Sequence, residues 1–356
     1  MVTVNNLLKI NPFSMKADEK SSLFNKSLFS LNNYHYNNCK EYKSILNTLN
    51  YNKNICSRYE DFPYIHVSLF KDYNLSSISK EKIYKIMNSS GTSGQKPSTI
   101  YLDKNNSIMQ TKVLTKLVSN FIGNKRLPML IIDSKNVISS RKTFSARGAG
   151  IIGFSIFGKD VNYALDEDMN LDIEIVTKFL NKYQNQEILI FGFTYILWKY
   201  FINHIIKNKI NIPRMNGYLI HGGGWKKLLN EKVDNNTFKD SFMKICGINN
   251  IINYYGMVEQ TGSIFLECSQ GYLHTSIFSD ILTRRQDYSI CDLNEVGLVQ
   301  LISLLPTSYP GHNIISDDLG MIIGIDDCKC GRSGKYFLIH GRIEKADLRG
   351  CSDTIE

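Results

Sequence analysis

The sequence predicts an α/β protein with buried sheets. Three observations carry that reading. Beyond about residue 85, short β-rich runs alternate with helix-patterned stretches; from about residue 263 strand patterns dominate; and 43% of the 356 residues are hydrophobic, enough to fill a sizeable core.

Taken in order, residues 1–85 are rich in Asn, Lys and Tyr, with helical spacing in KEYKSILNTLNY and in SKEKIYKIMN. The runs STIYLD, PMLIID, EILIFGF, MNGYLIHGGG and INNIINYYG then read as strands, and NNSIMQTKVLTKLVSNFIG, LDIEIVTKFLNKY and TYILWKYFINHIIKNK as the helices between them. In the last section GLVQLISLL, DLGMIIGID and KYFLIHGR are strand patterns. The most apolar stretch, EILIFGFTYILWKYFINHII, is broken by Gly192 and Lys199 and falls short of the roughly 20 apolar residues a membrane span needs, so it reads as a buried strand running into a helix. With no internal repeat and no linker-like tract, one compact unit with layered subdomains is expected.

Net charge is +9, from 42 Lys and Arg against 33 Asp and Glu, but the basic residues are spread along the chain. That argues against a nucleic-acid stripe and suits a soluble surface that receives an anionic nucleotide. The amino terminus, MVTVNNLLKINPFSMK, has no apolar run behind a basic start, so a cytoplasmic protein is expected, neither exported nor stably inserted in a membrane. Its eight cysteines are then reduced thiols or metal ligands and not a disulfide framework.

The stretch MNSSGTSGQKPSTIYLD has too little side chain to build a core. Small hydroxyl and glycine residues can instead turn tightly and aim N–H and O–H donors at an anion, and phosphate is the natural guest. It is not a Walker loop, because G-x-x-x-x-G-K-[ST] is absent. Two later segments strengthen a nucleotide reading. INYYGMVEQTG sets Glu259 just after a β-rich run, where a carboxylate can hold Mg²⁺ against a phosphate, and SDDLG offers Asp318 as an acceptor for two ribose hydroxyls. Alone, each also fits a solvated turn.

In this order, with HGR at 340–342 behind them, these segments resemble the adenylate-forming enzymes. The closer resemblance is to their acyl-protein synthetase branch, the ligase component of the bacterial fatty-acid reductase complex. It runs from about residue 60 to the end, through FSARGAGIIGFSIFGKD, YALDEDMNLDIE, LLPTSYPGHNIISDDLG, DDCKCGRSGKYF and GRIEKADLRGCSDT. The resemblance implies the large-subdomain architecture of that superfamily, layered sheets with helices plus a small strand-rich section. An adenylation domain is expected over 1–341, helical over 1–85 and strand-rich over 263–341, then a hinge and tail over 342–356. The likeness also implies ATP and Mg²⁺, phosphate contacts from Ser90, Gly91, Thr92, Ser93, Gly94 and Lys96, and adenine along Gly222, Gly223 and Gly224. Tyr255 and Gly256 would flank the base, Glu259 would hold Mg²⁺, Asp318 the ribose and Arg342 the ribose or phosphate side. In this chain the loop runs Gly94, Gln95, Lys96, Pro97, Ser98, where the wider superfamily reads Gly-x-Pro-Lys.

Superfamily members continue on the order of 100 residues past the Gly-Arg hinge, the size of a small domain, and carry a catalytic lysine there. Here Glu356 comes fourteen residues after Arg342 (356 − 342 = 14), so the mobile subdomain is expected to be missing or reduced to a tail. Lys345, Lys335 and Arg147 are the candidates for the absent lysine's charge. The tail carries Cys351 beside Arg349, whose charge favours a thiolate, and in the synthetase family a cysteine near this end takes the acyl group. The resemblance therefore implies a carbon–sulfur ligase that activates a fatty acid as acyl-adenylate and moves it to Cys351 for a partner acyl reductase. The rivals are an acyl-CoA ligase of the phenylacetate type and a non-catalytic nucleotide- or anionic-polymer-binding protein.

Two further constellations stand apart. LECSQGYLHT supplies Cys268 and His274, and DDCKCGRSG supplies Cys328 and Cys330: three thiolates and an imidazole suit one structural Zn²⁺, against the alternative of buried free thiols. The aromatic run Phe193, Tyr195 and Trp198 suits either an acyl tunnel or plain core.

Overall fold

Runs such as PMLIID and EILIFGF, apolar at nearly every position, can be satisfied only in a sheet covered on both faces, and residues 122–255 provide one. A computed structural model describes residues 4–51, 58–89, 96–138, 145–225 and 232–343. The chain divides into two units, Met1–Phe121 with Gly256–Asp347, and Ile122–Tyr255 with Leu348–Glu356.

In the second unit five parallel strands lie in the order Gly158–Leu165, Leu127–Ser134, Ile188–Phe193, Gly217–Gly222, Asn250–Tyr255. Counted along the chain this is 2-1-3-4-5, a doubly wound order whose ligands bind outside the carboxyl ends of the strands. Connecting helices begin where the sequence supplies a cap. Ser145 accepts from the Gly148 N–H at the start of Ala146–Ser155, Asp172 from Ile175 before Ile173–Lys182, and Asp234 from Thr237 before Asn235–Cys246. Gly247, at φ +78°, ends the last of these in the left-handed conformation that glycine adopts without strain. The apolar stretch at 187–206 is a strand, Ile188–Phe193, followed by helical turns through Lys207, as expected. No helix among the described residues is long and apolar enough to cross a membrane.

The first unit holds the long helices Ala17–Asn38 and Lys104–Ile122 and an antiparallel array, Ser279–Arg284, Val296–Ser303, Asn313–Ile325, Lys335–Arg342, Leu273–His274 and Phe265–Glu267, with Ile65–His66 parallel to Asn313–Ile325. One expectation fails here. SKEKIYKIMN is not helical: Lys80–Lys82 makes a single 3₁₀ turn and Lys85–Asn88 is a strand paired with Thr99–Leu102, from Lys85↔Leu102 to Asn88↔Thr99. Ile83, Tyr84, Ile86 and Met87 fit a helical face as well as a strand, and the non-local pairing decides. The Ser/Gly-rich stretch connects these two strands in sequence, and its residues 90–95 lie outside the described residues. The Ser89 N–H donates to Ser98 O (3.0 Å) and the Ser98 N–H to Ser89 Oγ (2.8 Å), extending the pairing of the two strands.

Deep in the same unit His35 and His312 stack with centroids 4.9 Å apart. Ring nitrogens of His35 meet Ser77 Oγ (2.7 Å) and Pro306 O (3.1 Å). Burial pushes His35 down to about 4, and burial with His35 alongside holds His312 well below its ordinary value. Both are neutral in the fold and charge on unfolding, so between pH 6.5 and about 4 the unfolded chain binds more protons and stability falls as pH falls. At about 1.4 kcal/mol per pKa unit, His35 alone accounts for about 3 kcal/mol. Urea midpoints should therefore drop steeply from about pH 7 to about pH 5, above the carboxylate range, and the slope should flatten in His35→Gln/His312→Gln.

Candidate active site

Glu259 sits in the 3₁₀ turn Val258–Gln260, and its surroundings explain the local sequence YGMVEQTG. Gly256 faces Ile264 so closely that an added Cβ would lie 3.0 Å from its Cγ2, and Gly262 turns the chain at φ +87° against the backbone of Gln110. Between them Gln260 Nε2 donates to Leu301 O (3.1 Å) and Gly311 O (2.8 Å), fixing the turn to the antiparallel strands. Gly311 packs on Glu259 itself; a Cβ there would stand 2.6 Å from the Glu259 carbonyl oxygen.

The Glu259 side chain is buried, 5% exposed. Burial raises its pKa above the usual carboxylate range, while the Ser98 hydroxyl and the charges of Lys71 and Arg342 pull it back. Around it the Ser98 and Tyr309 hydroxyls are buried without a hydrogen-bond partner of ordinary geometry among the described residues. A buried carboxylate lined by hydroxyl oxygens is an environment that fits a hydrated cation.

Asp318 and Arg342 are Cα partners across the Asn313–Ile325 and Lys335–Arg342 strands, and Arg342 Nε donates to Asp318 Oδ1 at 2.8 Å. The first unit thus brings together Glu259, Asp318 and Arg342 with the foot of the Ser/Gly hairpin. Lys96 is exposed, two positions before Ser98. Ser90, Gly91, Thr92, Ser93, Gly94 and Cys351 lie outside the described residues.

In the second unit Gly222 ends one parallel strand and Tyr255 the next. The three glycines differ in what they permit. A Cβ on Gly222 would collide with the Tyr254 ring at 2.5 Å, Gly223 takes φ +81°, and Gly224 has nothing within 4 Å of a would-be Cβ. Backbone bare of side chains at carboxyl strand ends suits a flat ring lying against it. His221, just before the glycines, has Nδ1 3.0 Å from Thr194 Oγ1 and is pushed down to about 3 by burial, with Lys239 adding to the effect, so it is a neutral structural group. Phe193, Tyr195 and Trp198 are buried; Phe193 packs on Phe191 (5.8 Å), and Trp198 on Trp225 (5.8 Å) and Phe238 (6.1 Å).

Two cations suggested by sequence are engaged elsewhere. Arg147 binds Asp133 through two contacts, one of them Nε to Oδ2 at 2.7 Å, with both residues fully buried. Lys335 donates to Tyr59 Oη, Asp280 Oδ2 and Ile281 O. Lys345 lies outside the described residues. The cation that sequence reasoning missed is Lys71, in the short helix Leu69–Asp72, whose charge acts on Glu259. No local pattern marks it, since KDY is an ordinary surface tripeptide.

A family model described as acyl-protein synthetase, LuxE, matches residues 3–356. The long-chain-fatty-acid–luciferin-component ligase of Aliivibrio fischeri is 23% identical over 323 residues, spanning 87% of this chain and 82% of that protein. Among solved structures, 2-hydroxyisobutyryl-CoA ligase in an open conformation with 2-HIB-AMP and CoA matches with TM-score 0.72 at 13% identity, over 93% of this chain and 76% of the other. Its postadenylation state matches with TM-score 0.71, over 93% and 69%. At such identity these structures show the fold, an α/β adenylate-forming ligase architecture.

Proposed function

This chain belongs to the acyl-protein synthetase (LuxE) family and is a ligase, and on that premise we propose that it activates a long-chain fatty acid with ATP and captures the acyl group on Cys351. The observation that carries the reading is the buried Glu259 carboxylate, acted on by the charges of Lys71 and Arg342 and by the Ser98 hydroxyl at the foot of the Ser/Gly hairpin. A fatty-acid carboxylate oxygen attacks the α-phosphorus of ATP, the bond to the β-phosphate oxygen breaks, and pyrophosphate leaves acyl-AMP behind. The Cys351 sulfur then attacks the acyl carbonyl, AMP departs with the bonding pair, and a thioester remains. We further propose that this thioester passes to a partner acyl reductase.

By this reading the phosphates are received by Ser90, Gly91, Thr92, Ser93, Gly94 and Lys96, and the ribose hydroxyls by Asp318 once Arg342 yields its hydrogen bond to them. Adenine is assigned to Gly222, Gly223, Gly224, Tyr255 and Gly256, and the acyl tail to the rings of Phe193, Tyr195 and Trp198, whose packing must part to admit it. Glu259 would hold Mg²⁺, which supplies charge neutralisation on the phosphates when bound. The charges of Lys71 and Arg342 act on that carboxylate, and we assign to them charge stabilisation on the phosphates during adenylation. Residues 1–341 are read as the adenylation domain and 342–356 as hinge and tail.

Incubation of the full chain with radiolabelled long-chain fatty acid and Mg-ATP should leave acid-precipitable label that neutral hydroxylamine removes. Label that appears instead as acyl-CoA when CoA is added, with none on the polypeptide, would assign the chain to CoA ligation.

A further inference from the structure

Cys268, His274, Cys328 and Cys330 lie in the first unit, outside the machinery described above, and their ligand atoms all fall within 4.8 Å of one another. Cys268 Sγ is 4.0 Å from Cys328 Sγ, and Cys330 Sγ is 3.3 Å from His274 Nε2. A tetrahedron with Zn–S of about 2.3 Å and Zn–N of about 2.0 Å has edges of about 3.8 Å between sulfurs and about 3.5 Å between sulfur and nitrogen. The observed separations bracket those edges. They exclude a disulfide, whose sulfurs stand about 2.05 Å apart, and all three thiols are free.

The backbone is arranged for thiolates. Turns follow two of the cysteines, with the Gly271 N–H donating to Cys268 O and the Gly331 N–H to Cys328 O, both at 2.9 Å. The N–H groups of Gln270, Cys330 and Arg332 each face the sulfur two residues earlier, that of Gln270 at 3.4 Å from Cys268 Sγ. Such N–H···S contacts stabilise coordinated sulfur and orient it. His274 is fully buried, and its Nδ1 has no hydrogen-bond partner among the described residues. Three thiolates around a divalent ion leave a net charge of about −1. Tyr336 closes one side, stacked on His274 at 5.7 Å and against Tyr272 at 5.1 Å.

We propose that these four residues bind one structural Zn²⁺. Four protein ligands of this type leave no open position, so the ion does no chemistry. It staples the Leu273–His274 strand to the turn at 328–330, between the strands Asn313–Ile325 and Lys335–Arg342. That hairpin carries Asp318 and Arg342 farther along, so the staple holds the base of the element that presents them.

Elemental analysis of the full chain purified without chelator should find about one zinc per chain. Cys328→Ser and Cys330→Ser should each lower this severalfold, whereas Cys39→Ser should leave it unchanged. Should the cysteine variants fail to fold, the wild-type chain decides: mercurial titration should release zinc in step with thiol modification, and Co²⁺ exchanged into the site should show thiolate-to-cobalt charge transfer and tetrahedral d–d bands. Zinc well below one per chain in the wild type, with no such cobalt spectrum, overturns the proposal.

Discussion

Glu259→Gln is expected to lower fatty-acid-dependent ATP–pyrophosphate exchange by about 10²–10³-fold, equivalent to about 3–4 kcal/mol of lost transition-state stabilisation. The substitution is isosteric and keeps an oxygen toward the site, so what is lost is the negative charge that would hold Mg²⁺. Stability should move the other way. Burial raises the Glu259 pKa, so at neutral pH the folded protein bears a cost for keeping the carboxylate ionised, and a neutral amide removes it. Activity collapsing while the urea midpoint holds or rises is a signature that a merely structural acid would not give. In the wild type, exchange should gain rate with rising pH through a carboxyl group titrating above the ordinary range, and the variant should lose that limb. Undiminished exchange in Glu259→Gln would remove Glu259 from the metal-ligand role.

Much of the fold was legible because its information is local. The central parallel strands Leu127–Ser134 and Ile188–Phe193 announce themselves as apolar runs, since burial on both faces leaves no polar alternation to obscure them, whereas Gly158–Leu165, GKDVNYAL, is partly exposed and carries no such signal. Some of the glycine punctuation has a local reason: Gly222, Gly256 and Gly262 stand where a Cβ would meet a neighbour, whereas Gly224 faces open space. Cys268, His274, Cys328 and Cys330 were visible as metal-ligating residue types, and folding supplied the distances, because strand pairing of Leu273↔Phe337 and His274↔Tyr336 brings the two segments side by side. The surroundings of Glu259 were not legible. Lys71, Ser98, Tyr309 and Arg342 reach it from four separate stretches of chain, and nothing in any one of them points to the others. Arg147 looked available for charge stabilisation only because its partner Asp133 comes from a neighbouring strand fourteen residues away. The misread SKEKIYKIMN has the same origin, since a four-residue strand owes its existence to the partner at 99–102.

Cys351→Ser should abolish the hydroxylamine-labile acyl adduct while ATP–pyrophosphate exchange continues. The two half-reactions need different groups. Adenylation draws on phosphate and carboxylate electrostatics, to which a tail sulfur contributes nothing, whereas capture needs a nucleophile that is substantially ionised near neutral pH. A thiol, with Arg349 two positions away in sequence, ionises far more readily than a serine hydroxyl, so the rate of capture should fall by at least about 10³-fold. Acyl-AMP then accumulates or is lost to water, which appears as AMP release without a stable adduct. Slow acylation of the serine would give an oxygen ester, far more resistant to neutral hydroxylamine than a thioester, so intact mass before and after treatment separates the two. Loss of exchange together with the adduct would instead mean that the tail supports adenylation itself. An undiminished labile adduct would move the acceptor to another cysteine; of the described thiols Cys39, Cys246, Cys268, Cys291 and Cys328 are buried and Cys330 is engaged with His274, so Cys56, outside the described residues, is the first to test.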